Sequence, residues 1–232
     1  MLDCGFGLRE TEHRLIRLGM TAGDLSGIVV THEHRDHVDG VFGLARRHRI
    51  PVWLSYGTYR SVRHKCDGVE LHFCRDGDRF SIGDLYLLPY TVPHDAREPL
   101  QYVATDGSAT LGVLTDAGQS TPHLVRALDK CDAIVLECNH DRAMLANSSY
   151  PYSVKKRIGG DYGHLSNETA SGILRQIDKS RLRQVVGGHL SMQNNTPALA
   201  LAALMQGLDG HQAEVTVACQ QEGFGWIDLS PV

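Results

Sequence analysis

The ten residues Thr31-His32-Glu33-His34-Arg35-Asp36-His37-Val38-Asp39-Gly40 constrain this chain more than any other stretch. They follow a short β-branched run, Ile28 to Val30, and lead into an amphipathic segment, Val38 to Arg49, with Val41, Leu44 and Ala45 on one face. A buried strand running straight into a helix is therefore expected, with the polar residues gathered at the strand's carboxyl end. In an extended segment residues two apart point the same way, so His32 and His34 can share one cation. As the chain tightens into the helix, Asp36 and His37 turn toward a second. Imidazole nitrogens and a carboxylate in so short a span suit zinc and related divalent ions.

Two metals need more ligands, and three later strand ends supply candidates. His94 follows the run Leu85 to Thr91, Asp116 follows Thr110 to Leu114, and His189 follows Val185-Val186 after a Gly-Gly pair. Alone, each is more economically read as a core or surface residue; beside the first motif, ligation is the better reading of all three.

The series H-x-H-x-D-H, then His, Asp and His, resembles the metallo-β-lactamase superfamily. The resemblance implies an α/β fold, a four-layer αββα sandwich, as one hydrolase domain over 1–232. It implies two divalent ions, Zn²⁺ first and Mn²⁺ or Fe²⁺ next. His32, His34 and His94 would hold one ion, Asp36, His37 and His189 the other, and Asp116 would bridge them. Asp3 matches the superfamily's early aspartate, which supports a ligating histidine from behind; a turn-forming aspartate before glycine is an equal reading of the residues themselves. Members usually begin with a strand and a Gly/Ser-rich loop ahead of that aspartate, so a sandwich without its first N-terminal hairpin is one expectation.

Four segments are similar to the YycJ (WalJ)-like group of nucleic-acid phosphodiesterases: Val92-Pro93-His94-Asp95, Leu136 to Asp141, Gly163 to Asn167, and His189 to Asn195. The resemblance implies an exonuclease acting on DNA more than RNA, 5′ to 3′, by attack of a metal-bridged hydroxide on phosphorus. Asp36 would orient the nucleophile. Looser forms of the same elements in the tRNA 3′-processing branch make Glu137 and His164 a dyad that protonates the departing oxygen. Ser191 and Asn194 would touch a phosphate. Lys155, Lys156 and Arg157 divide evenly between phosphate contacts and a solvated loop, and Tyr150, Tyr152 and Tyr162 between base stacking and packing. Arg46 to Arg49 read as cations suited to a helix C-terminus. A hydrolase of a thioester, lactone or cyclic phosphodiester is the alternative activity, and a metal-stabilised binding protein the reading from another class.

Composition bears on what remains. The formal charge of −4 does not suggest a chain that coats nucleic acid, though two divalent ions would offset it within the site. Six scattered cysteines with no C-x-x-C pair read as reduced thiols, which places the chain in the cytoplasm. No secretory leader or membrane-crossing run is read in the sequence. Beyond the elements above, the pattern predicts strands at Val52–Leu54, Val69–Phe73, Arg79–Ile82, Ala133–Leu136, Glu214–Ala218 and Phe224–Ile227. A hairpin is expected across Asp106-Gly107, and helices at Thr121–Lys130, Ser166–Ile177 and Pro197–Met205, with a short one near Tyr59.

Overall fold

The computed structural model describes residues 1–229. These residues form two compact units, one of residues 1–91 and 96–100, the other of 92–95 and 101 onward.

The first unit opens with helix α1 (Leu8–Arg17), followed by strand β1 (Ile28–Val29), a single helical turn α2 (Arg35–Val38) and helix α3 (Val41–His48). Strand β2 (Val52–Leu54), helix α4 (Tyr56–Val62) and strand β3 (Leu71–Phe73) complete a parallel sheet in the order β1-β2-β3. Its register sets Ile28 opposite Val52 and Val52 opposite Leu71. Ile28, Val41, Leu44, Val52 and Leu54 are wholly enclosed, each worth about 1.5–3 kcal/mol against the exposed state. Strands β4 (Phe80–Ile82) and β5 (Leu85–Thr91) pair antiparallel across a turn with Gly83 at φ +57°.

The single helix expected from Val38 to Arg49 is instead broken at Gly40. There the amide donates to the Cys4 carbonyl (2.8 Å), and a Cβ would lie 1.9 Å from the Phe6 carbonyl oxygen. Only glycine admits this approach of the N-terminal loop. The helical turn carrying Asp36 and His37 is thereby a separate piece, docked on residues 3–6. Helix α1 escapes the sequence pattern because Gly7 offers no capping side chain and few of its residues are apolar.

In the second unit β6 (Leu100–Thr105) and β7 (Thr110–Leu114) make the expected hairpin, with Gly107 at φ +92°. Helix α5 (Pro122–Leu128) leads to β8 (Ala133–Glu137), then come α6 (Arg142–Asn147), α7 (Tyr152–Ile158), α8 (Asn167–Gln176) and β9 (Gln184–Gly188). Helix α9 (Pro197–Leu208) and β10 (Glu214–Val217) end the regular structure. The strands lie in the order β10-β9-β8-β7-β6, and all but the hairpin pair are parallel. Thr121, Ser166 and Thr196 cap their helices through side-chain oxygens, as those residue types do.

Helices α6 and α7 were not foreseen; at six and seven residues they are too short to carry a periodic signal. The expected strand Phe224–Ile227 does not form. Glycines at 223 and 225 flank Phe224, and the last pairing among the described residues is an isolated bridge of Cys219 to Gly223. No disulfide joins the six cysteines. No helix among the described residues is long and apolar enough to cross a membrane.

Candidate active site

In the first unit the metal-type motif leaves β1 and is held from behind by Asp3. The Asp3 carboxylate accepts the Thr31 amide (2.8 Å), the Thr31 hydroxyl (2.8 Å) and the His37 Nδ1–H (2.8 Å). Because the Thr31 hydroxyl gives its proton to Asp3, its oxygen accepts from His32 Nδ1, 2.9 Å away. Both imidazoles then present Nε2 lone pairs, the tautomer a metal requires. His34 stands at the N-cap of α2 in extended conformation, its ring centroid 4.5 Å from that of His32. The His37 ring lies 4.3 Å from His32, and Asp36 follows on the same turn, 3.5 Å from His37. Gly5 completes the packing; a Cβ there would sit 1.8 Å from the Asp36 carbonyl oxygen.

In the second unit three neighbouring parallel strands deliver three polar residues at their carboxyl ends, where open α/β sheets bind ligands. β7 runs out to Asp116, β8 ends in Glu137, and β9 leads to His189. Register does the rest: Glu137 pairs with Gly188, one residue before His189. Asp116, Glu137, His164 and His189 offer ligand atoms all within 4.8 Å of one another. His94 stands 3.8 Å from Asp116, and its Nδ1–H is directed at the Gly163 carbonyl (3.0 Å). Burial lowers the His94 pKa, against the attraction of Asp116.

Glu137 is the organiser of this cluster. It is fully enclosed, and its Oε1 accepts from Nδ1 of both His164 (2.9 Å) and His189 (2.7 Å). Its Oε2 accepts the amides of Ala117 (3.1 Å) and Leu165 (3.0 Å). Burial pushes this carboxyl up, but the hydrogen bonds from the two histidines outweigh it and hold the group below its ordinary value. The family resemblance pairs Glu137 with His164 alone; its bond to His189 is a product of strand register, which no motif spacing encodes. His164 lies in reach of Asp116 as well (3.4 Å). Cys138, next in the chain, is sealed and its thiol pushed up to about 12 by burial, so it is no nucleophile.

Three of these residues, Asp3 (φ +54°), Asp116 (φ +51°) and His189 (φ +56°), adopt left-handed backbone. That conformation is uncommon for side chains other than glycine and concentrates where function fixes the chain.

The remaining candidates are dispersed. Lys155 and Lys156 lie on α7, Lys155 reaching the Ala146 carbonyl (2.7 Å). Arg157, on the same helix, pairs with Asp95 (2.6 Å). Asn194 is fully buried, its amide and side chain donating to Ser191 Oγ, while its carbonyl caps the Asp141 amide. Tyr150 and Tyr152 line a cavity beside His164; Tyr162 is not among its walls and is largely exposed.

Comparison with known proteins now decides the family. A family model described as the beta-lactamase superfamily domain matches residues 1–189. Exodeoxyribonuclease YycJ of Bacillus anthracis is 32% identical over 212 residues, covering 90% of this chain and 80% of the relative. The chain belongs to the metallo-β-lactamase superfamily, in its YycJ (WalJ)-like group. A second member of the group, exodeoxyribonuclease WalJ of Streptococcus pneumoniae, is 29% identical over 236 aligned positions, covering all of this chain and 86% of the relative. Among solved structures, the metallo-β-lactamase fold protein YhfI of Bacillus subtilis superposes with a TM-score of 0.72 at 16% identity, over 97% of this chain and 85% of that one. The protein thus has the metallo-β-lactamase fold and is a metal-dependent hydrolase. The residues present fit that chemistry. Nδ1 of His32, His37, His94 and His189 each faces an oxygen acceptor, the outer support that metal-ligating histidines carry.

Proposed function

We propose that this metallo-β-lactamase-fold protein is a dinuclear phosphodiesterase acting on DNA, an exonuclease that works 5′ to 3′. His32, His34 and His94 would hold one divalent ion, Asp36, His37 and His189 the other, and Asp116 both, with Zn²⁺ ahead of Mn²⁺ or Fe²⁺. When bound, such a pair supplies positive charge against the phosphoryl oxygens and lowers a water's pKa toward roughly 7. Asp36, exposed at the head of α2, would orient that water. His164, its Nδ1–H fixed by Glu137, turns Nε2 outward as a proton donor to the departing sugar oxygen. The imidazolium form of that ring carries the Nε2 proton the step transfers.

The Glu137–His164 bond is the observation that carries this reading. An alkoxide leaving from phosphorus is strongly basic and needs a proton; a thiolate leaving from a thioester does not. A positioned acid beside a metal-type cluster therefore favours the phosphodiester over the thioester. Lys155, Lys156 and Ser191 are the phosphate contacts this reading favours. The names of the YycJ and WalJ relatives support DNA as substrate, and the absence of any disulfide among the six cysteines supports a cytoplasmic setting.

The test is digestion of end-labelled single- and double-stranded DNA and RNA by protein loaded with Zn²⁺ or Mn²⁺. Release of nucleotides from DNA 5′ ends, abolished by EDTA and restored by either metal, is expected. Turnover of a thioester or lactone, with no loss of labelled ends from any nucleic acid, would overturn the proposal.

A further inference from the structure

His140 belongs to none of the roles above, yet its surroundings are built for a ligand. It follows β8, is 2% exposed, and is tied through its backbone to Asn167, whose amide donates to the His140 carbonyl (2.9 Å). Neither ring nitrogen makes a hydrogen bond among the described residues. Nδ1 is sealed from solvent, and the residue lines a cavity of about 700 Å³ that lies wholly within the second unit. Nε2 is thus the nitrogen presented to that cavity. With no partner among the described residues, that Nε2–H is left to donate to an acceptor bound in the cavity.

The rest of the wall is cationic and aromatic. Arg142, Lys155 and Lys156 face the cavity against the single carboxylate of Asp161. The Lys156 ammonium has no hydrogen-bond or ion-pair partner among the described residues. Arg142 bonds Ser166 and Thr169 (3.1 and 3.3 Å), two further wall residues at the capped start of α8, and pairs with the Glu168 carboxylate at 3.5 Å. Tyr150 and Tyr152 supply aromatic faces, and His164 stands in the same wall. The volume lies within the roughly 300–1,000 Å³ of small-molecule sites. Positive charge, an unsatisfied imidazole and aromatic rings together describe a site for a nucleotide.

We propose that this cavity holds the 5′-terminal nucleotide of the substrate strand, its terminal phosphate on His140, Arg142 and Lys156 and its base against Tyr150 or Tyr152. The direction rests on the proton-donor role proposed for His164. In the cleavage, the oxygen of water bonds to phosphorus and its displaced proton passes to solvent. The P–O3′ bond breaks with its electron pair on O3′, and His164 protonates that oxygen. The departing sugar therefore lies on the His164 side, in the cavity, and its own 5′-phosphate extends toward Arg142 and Lys156. The terminal nucleotide leaves as a nucleoside 5′-monophosphate.

Full-length, metal-loaded protein should degrade a 5′-phosphorylated strand with a kcat/KM roughly tenfold to a hundredfold above the same strand ending in a 5′-hydroxyl, the range one or two charge-assisted hydrogen bonds supply. Arg142→Ala, His140→Gln and the surface variant Lys156→Ala, which carries little risk to folding, should each lower that ratio toward one. Thymidine 5′-monophosphate, titrated by calorimetry, should bind the parent protein and bind these variants more weakly, whereas inorganic phosphate, which can sit on the metals alone, should not discriminate among them. A ratio unchanged in both Arg142→Ala and Lys156→Ala would overturn the site. If no DNA is degraded at all, the nuclease reading fails, and the calorimetric arm still judges the cavity: monophosphate affinity independent of Arg142 and Lys156 rejects it, and dependent affinity supports it.

Discussion

Replacing Glu137 with glutamine is expected to cost the enzyme both metal affinity and proton transfer, although the new side chain has nearly the same shape. The carboxylate accepts four hydrogen bonds, two from imidazoles on one oxygen and two from amides on the other. A glutamine offers one acceptor oxygen and an NH₂, so in either orientation two N–H donors meet two more. The mismatch falls inside a fully enclosed site, where an unsatisfied polar group costs about 1–3 kcal/mol. His189 loses the support of its Nδ1–H, for which a loss of about 10–100-fold in metal affinity is expected. His164 loses the partner that fixes its tautomer, and kcat should fall by about 10²–10⁴, the contribution of a positioned general acid. Metal titration followed by single-turnover kinetics at saturating metal separates the two losses. A variant that binds metal like the parent and turns over normally would remove Glu137 from the mechanism.

His164→Ala should lower kcat on DNA by a similar factor of about 10²–10⁴ while leaving metal content unchanged. The diagnostic lies in the leaving group. A bis-nitrophenyl phosphodiester releases a phenolate that needs no proton, so the variant should hydrolyse it nearly as fast as the parent. An equal loss on both substrates would mean that His164 shapes the site without donating the proton. The alternative small-molecule hydrolase predicts indifference to this substitution on its own substrate, so one variant and two substrates divide the readings.

The local motif was legible because His32, His34, Asp36 and His37 lie within six residues, and the two-residue period of a strand end is written in the spacing. The strand-end residues Asp116 and His189 were legible for a related reason: each follows a β-branched run that reads as a buried strand. What spacing does not contain is register. That Glu137 serves His189 as well as His164 depends on β8 lying beside β9 with Glu137 opposite Gly188. The same limit hid the cavity, since Arg142 and Lys156 come from two helices too short to be recognised. His140 looks in the sequence like one more histidine of thirteen. Gly40 is the opposite case. A glycine within an apolar-periodic stretch reads as tolerated, whereas a carbonyl oxygen against its α-carbon divides the helix.

Left-handed backbone at Asp3, Asp116 and His189 sets durability against turnover in this molecule. Each such residue forgoes about 1–3 kcal/mol that a relaxed backbone would retain, so natural selection for catalysis has held the scaffold beneath its attainable melting point. An Asp116→Gly protein should make the conflict visible, since glycine occupies that conformation without steric strain, offset only in part by its greater loss of backbone entropy on folding. In chelator it should melt above its parent; with metal in excess the order should reverse, because the parent alone gains the full binding energy of its ions.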